Sequence, residues 1–132
     1  MKRYMLDTNS VSYLIRREPG IAARIREVPM ASLCVSAVTE GELEFGLARR
    51  PEAHDLRRVV DELLRRLEVL AWDRPAARAY GRLRAELERN GRPMGALDTM
   101  IAAHALAANA ILVTTDSAFA RAGGPPTEDW RQ

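Results

Sequence analysis

A chain of 132 residues suits one domain, and at 47% apolar it carries enough hydrophobic side chains for a core of its own. The formal charge of +2 comes almost wholly from arginine, which suits a phosphate-bearing partner without requiring one. Lys2 as the only lysine excludes a P-loop and an interior Schiff base, Cys34 as the only cysteine excludes an internal disulfide and a thiolate zinc cage, and His54 and His104 show no zinc-ligand spacing.

In chain order, Lys2 to Leu6 reads as a short buried strand, followed by a polar start and one or two helical turns through Val11, Leu14 and Ile15. Pro19-Gly20 punctuates, and "IAARIREV" forms a second short helix. "ASLCVS" is a strand, and the pattern from Ala37 to about Arg50 is helical. Leu56, Val59, Val60, Leu63, Leu64 and Leu67 repeat at i, i+3, i+4, i+7, which predicts a strongly amphipathic helix. "EVLAW" is a short strand. Asp73 and Pro75 open the next helix, and Asn90-Gly91 close it. "LDTMIAAHALAANA" is an alanine-rich, buried helix, "ILVTTD" a strand, and "PTEDW" a short edge strand. Strands alternating with helices argue for a three-layer α/β/α domain with a mostly parallel sheet of four to five short strands. No signal peptide and no apolar run of bilayer length is seen, so a soluble cytoplasmic protein without a membrane role is expected.

In such a sheet, binding sites form at the carboxyl ends of the strands. Asp7 follows the first strand and Asp116 the last long one. Asp98 begins the helix that feeds that last strand, and Glu42 lies one to two turns into the helix after the second strand. All four carboxylates can therefore reach one edge. Like charges gathered there raise one another's pKa, a conflict that a divalent cation removes, and an all-oxygen site suits Mg²⁺ or Mn²⁺ over Zn²⁺. Each acid also has a local reading. Asp7 can form an Asx turn, Glu42 can close a capping box with Thr39, Asp98 can favour a helix dipole, and Asp116 can be a helix N-cap before Ser117. Glu40 and Glu44 read as a solvated helix face, and Asp61, Glu62, Glu86 and Glu88 as partners of neighbouring arginines. His104 reads as a packed histidine and Cys34 as a core thiol.

"MLDTN", "VSAVTEGELEFG", "RPMGALDTMIAAHAL" and "LVTTDSAF", in this order and spacing, resemble the PIN-domain ribonucleases, and within them the VapC-type toxins of toxin–antitoxin pairs. The resemblance covers essentially the whole chain and implies one PIN-like domain over residues 1–132. It implies a metal-dependent endoribonuclease whose acids fall on Asp7, Glu42, Asp98 and Asp116, with Thr8, Asn9 and Thr114 as supporting residues. It also implies a toxin that inhibits translation and growth, forms a homodimer and is neutralised by a VapB-type antitoxin protein. The antitoxin is expected on the face of Leu14, the second short helix and "EFGL".

The expected reaction is hydrolysis of an RNA phosphodiester with Asp7 and Asp98 holding Mg²⁺ or Mn²⁺. Glu42 and Asp116 complete the metal environment or orient the attacking water, and the products carry a 5′-phosphate and a 3′-hydroxyl. Arg16, Arg17, Arg84 and Arg92 are the candidate RNA contacts. A haloacid-type phosphatase or a receiver domain would need a lysine beyond a later strand, where this chain has none. The remaining alternative is a non-catalytic RNA-binding or regulatory module on the same fold.

Overall fold

The fold is described from a computed structural model covering residues 2–120 and 123–131. The elements run β1 (Tyr4–Leu6), α1 (Thr8–Ile15), α2 (Pro19–Glu27), β2 (Leu33–Ser36), α3 (Ala37–Ala48), α4 (His54–Arg66), β3 (Glu68–Leu70), α5 (Arg74–Arg89), α6 (Ala96–Ala107), β4 (Ile111–Val113) and β5 (Thr127–Glu128). The five strands form one sheet in the order β3-β2-β1-β4-β5, and every pairing is parallel. The expected element sequence is therefore present, with ends shifted by a few residues. β1, for example, begins at Tyr4 and not at Lys2.

Strand alternation divides the core. Met5, Cys34 and Leu112 point to one face, where Ala102, Ala103 and Ala105 of α6 and Leu83 and Leu87 of α5 cover them. Tyr4, Leu6, Val35 and Val113 point to the other, against Val11 of α1 and Ile21 of α2. This gives the three layers. Alanines on α6 let it lie close to the sheet while α5 packs over it. Each fully buried side chain such as Leu112 or Ile101 contributes about 1.5–3 kcal/mol relative to exposure.

Helix ends follow local chemistry. Asp73 caps α5 by accepting from the Ala76 amide at 3.0 Å, with Pro75 in its first turn. Glu18 caps α2, accepting from the Gly20 and Ile21 amides, with Pro19 opening the helix. Gly91, at φ +67, takes the left-handed turn that ends α5. Gly20 is required for a different reason: a Cβ there would lie 2.5 Å from the Arg131 carbonyl oxygen, so the C-terminal segment can lie against α2 only over a glycine. Among the described residues no helix is long and apolar enough to cross a membrane.

Candidate functional site

The strand order reverses direction at β1, with β2 on one side and β4 on the other, and this opens a crevice beyond the carboxyl ends of β1 and β4. Asp7 stands in it. Its amide donates to the Val113 carbonyl at 3.1 Å, so its position is fixed by the end of β4. It caps α1, accepting from the Ser10 amide at 2.8 Å. Thr114 makes a second side-chain bond to the same carboxylate. Asp7 is only 4% exposed. Burial pushes its pKa up, the bonds from Thr114 and Ser10 oppose that rise, and the Asp116 charge adds to it.

Asp98 lies in the first turn of α6 and stays solvent-exposed. Its pKa is also raised, first by partial burial and then by the charges of Glu42, Asp116 and Asp7. Asp98 is thus within electrostatic reach of the other three predicted acids, and Asp7 within reach of Asp116. Glu42 is half-buried on α3 and accepts from the Thr8 hydroxyl at 2.5 Å. Asp116 is exposed and accepts from the Ala118 amide at 2.9 Å, while its own amide donates to the Thr114 hydroxyl oxygen at 3.1 Å. The Thr114 hydroxyl therefore links Asp7 to the turn carrying Asp116.

The local readings can be separated. The capping-box reading of Glu42 falls, because Ser36 caps α3 through the Val38 amide and Thr39 lies buried inside the helix. Asp7, Asp98 and Asp116 each perform their local task and still share the edge. Thr8 serves Glu42 and not Asp7, and Asn9 is exposed, its side chain without a hydrogen bond among the described residues. Asp7 is held instead by Ser10, which sequence reasoning missed. Ser10 is fully buried and also donates through its hydroxyl to the Val113 carbonyl at 2.9 Å. Its sequence signal is a serine three residues after a capping aspartate.

The candidate RNA contacts differ among themselves. Arg16 lies over the Tyr13 ring at 5.0 Å and shares with Thr8 and Glu42 a groove of about 410 Å³ between α1, α3 and α4. Arg17 is exposed and adopts φ 59, past the end of α1. Arg84 is engaged along its own helix by Glu88 and the Tyr80 hydroxyl. Arg92 is exposed in the loop before α6, its amide donating to the Leu87 carbonyl.

The donor set fits a hard divalent cation: carboxylates and hydroxyls, with Cys34 sealed in the sheet and His104 bonded elsewhere. Burial of like charge also supplies the electrostatic reason for a cation. Among the described residues, however, no three His, Cys, Asp or Glu side chains are drawn together as a ready ligand cluster. A hard ion such as Mg²⁺ keeps part of its water shell and takes only one or two carboxylates directly, so it does not require a preformed cluster.

A family model of the PIN domain matches residues 4–125. The chain is 37% identical over 131 residues to the tRNA(fMet)-specific endonuclease VapC of Shigella flexneri, covering 98% of this chain and 99% of that protein. It is 36% identical over 132 residues to Ribonuclease VapC2 of Haemophilus influenzae, with the same coverage. Its fold matches the crystal structure of DNA-bound VapBC from Salmonella typhimurium with a TM-score of 0.91, at 37% identity over 98% of this chain and 99% of that one. A parallel sheet with an acid-lined switch point and these likenesses define the class: the chain belongs to the PIN-domain family, in its branch of VapC ribonucleases.

Proposed function

We propose that this chain is a Mg²⁺- or Mn²⁺-dependent endoribonuclease and the toxin of a VapBC-type pair, acting in the cytoplasm to inhibit translation and growth. The observation that carries the catalytic reading is the placement of the acids at one sheet edge: Asp7 bonded to the end of β4 and Asp98 in the first turn of α6, where it feels the charges of Glu42, Asp116 and Asp7. Acids placed only for local tasks would have no reason to gather where their charges raise the pKa of one of them. The likeness to a tRNA(fMet)-specific endonuclease over nearly the whole chain supports transfer RNA as the first substrate class to test.

Asp7 and Asp98 would hold the ion, and Asp116 would complete its surroundings. A bound Mg²⁺ or Mn²⁺ would supply charge neutralisation at the phosphate oxygens and lower the pKa of water at the site. Glu42, turned by the Thr8 hydroxyl, would orient the attacking water and accept its proton. The water oxygen would bond to phosphorus as Glu42 takes its proton, the bond to the 3′ oxygen would break, and that oxygen would take a proton from solvent and leave as a 3′-hydroxyl. Thr114 and Ser10 would keep Asp7 in place, because both bond it in a buried setting.

The groove beside Glu42 has an apolar floor of Ile15, Leu43, Leu47 and Val60 with Arg16, Arg49 and Arg50 at its rim. A segment of a VapB-type antitoxin placed there would lie against the acid edge. Homodimerisation is part of the same reading by family likeness.

A second reading, a non-catalytic RNA-binding module, is favoured by the absence of a ready ligand cluster among the described residues. Incubating the purified chain with transfer RNA in Mg²⁺, Mn²⁺ or EDTA, beside Asp98→Asn, separates the two. Cleavage that needs metal and disappears in the variant supports the nuclease. RNA binding without cleavage in either metal supports the module.

A further inference from the structure

His104 belongs to none of the functions above, yet it is a buried polar side chain bonded to a residue 68 positions away. Its Nδ1 lies 2.7 Å from the Ser36 hydroxyl. The Trp72 ring packs on it edge-on at 5.4 Å. The Ser36 oxygen already accepts from the Val38 amide at 3.0 Å, so its hydrogen is free to be donated to Nδ1. Nδ1 is then the acceptor, and the hydrogen of the neutral ring sits on Nε2. The result is a direct hydrogen bond between the N-cap of α3 and the last turn of α6.

The two helices joined in this way carry two of the four acids. Glu42 lies six residues beyond Ser36 along α3, and Asp98 lies six residues before His104 along α6. Both intervals span about 9 Å of helix. At one end of this stretch Ser36 meets His104, and at the other the Glu42 and Asp98 charges act on each other. Repulsion pushes the helices apart at the acid end, and a buried neutral bond ties them at the other. Because the intervals match, a slip of α3 against α6 at the tie carries through undiminished to the two carboxylates.

We propose that His104 and Ser36 are positioning residues that fix the separation of Asp98 and Glu42 by joining α6 to α3. The inference rests on the nuclease reading, since it gives that separation a purpose. Loss of the tie should weaken metal binding and lower kcat while leaving KM for RNA unchanged, because neither residue reaches the crevice. A residue that only stabilises the fold would lower the melting temperature without that pattern.

The test is Mn²⁺ binding to the metal-free chain by calorimetry, with melting temperature and cleavage kinetics measured alongside. His104→Leu removes the acceptor. His104→Asn restores an acceptor near Nδ1. Ser36→Gly removes the hydroxyl with little loss of helix capping, and so carries the test should His104→Leu not fold. Gly20→Ala, forced against the Trp130 and Arg131 carbonyls away from both helices, is a control for general destabilisation. Mn²⁺ binding should weaken roughly tenfold in His104→Leu and Ser36→Gly, recover to within about twofold in His104→Asn, and hold in Gly20→Ala. Undiminished binding in both His104→Leu and Ser36→Gly, or equal weakening in Gly20→Ala, would overturn the inference. A wild-type chain that binds no Mn²⁺ would remove the nuclease reading and this inference together, an outcome distinct from the other two.

Discussion

Asp7 and Asp73 perform the same local task in opposite settings. Each follows a short parallel strand and accepts an amide three residues on, Asp7 from Ser10 at 2.8 Å and Asp73 from Ala76 at 3.0 Å. Asp73 does this in water. Asp7 does it 4% exposed, with a second bond from Thr114 and the charge of Asp116 raising its pKa. A helix cap needs one bond and an open end, and burying a carboxylate beside other acids adds nothing to it. The difference separates the part of Asp7 that local structure explains from the part that the proposed site would explain.

The largest effect should come from removing the Asp7 charge while keeping its cap. Asparagine caps as well as aspartate, so Asp7→Asn should fold, yet RNA cleavage should drop by about 10³-fold. Asp73→Asn should cleave at the wild-type rate. Equal losses in a single-turnover assay would erase the distinction between the two aspartates.

Metal should sharpen the same contrast. If the acid edge binds Mg²⁺, saturation at about 100 times Kd stabilises the fold by about 2.7 kcal/mol. The wild type and Asp73→Asn should therefore melt higher with Mg²⁺ than with EDTA, and Asp98→Asn should gain much less. In EDTA the order reverses at the acid edge. Asp98→Asn should melt above the wild type by roughly 2–4 °C, a modest gain because Asp98 is partly solvated and its repulsion is screened. Thermal scans under the two conditions check both statements, and an Asp98→Asn protein that melts lower in EDTA would contradict the repulsion. Away from the edge the cap alone counts, so Asp73→Ala should lose about 1 kcal/mol by urea denaturation with no change in Mg²⁺ response.

The same two aspartates show what the sequence could and could not disclose. Asp73 before Arg-Pro is a helix start from local chemistry alone, and α5 begins there. The placement of Asp7, Glu42, Asp98 and Asp116 at one edge was legible because strands alternate with helices and each acid sits at a strand end or in a following helix. The partners of these acids were not. Thr8, next to Asp7 in sequence, donates to Glu42, 34 residues away. Arg84 read as free for RNA, although Glu88 one turn on was in plain view as its partner. His104 was legible as packed, from the apolar residues around it. Its bond to Ser36 spans 68 residues and depends on how α3 meets α6, which no periodicity encodes.

That bond also gives the smallest of the expected effects, a pH dependence of stability away from the acids. Burial lowers the His104 pKa and the Arg3 charge adds to this, while Asp73 and the Ala71 carbonyl oppose it without reversing it. Below the ordinary histidine range, near about 6.5, the unfolded chain takes up a proton that the folded chain refuses. Unfolding therefore becomes easier as pH falls from that value, until the lowered native pKa is passed and the loss levels off. Asp7 and Asp98 act with the opposite sign, because their raised native pKa values favour the folded state as they protonate at lower pH. Urea melts at about pH 7.5 and about pH 5.5 should show wild-type stability falling with acid, and His104→Asn should flatten that fall because it has no ring to protonate. If His104→Asn loses as much as the wild type over this range, another group carries the dependence and the buried neutral ring is the wrong account of α6.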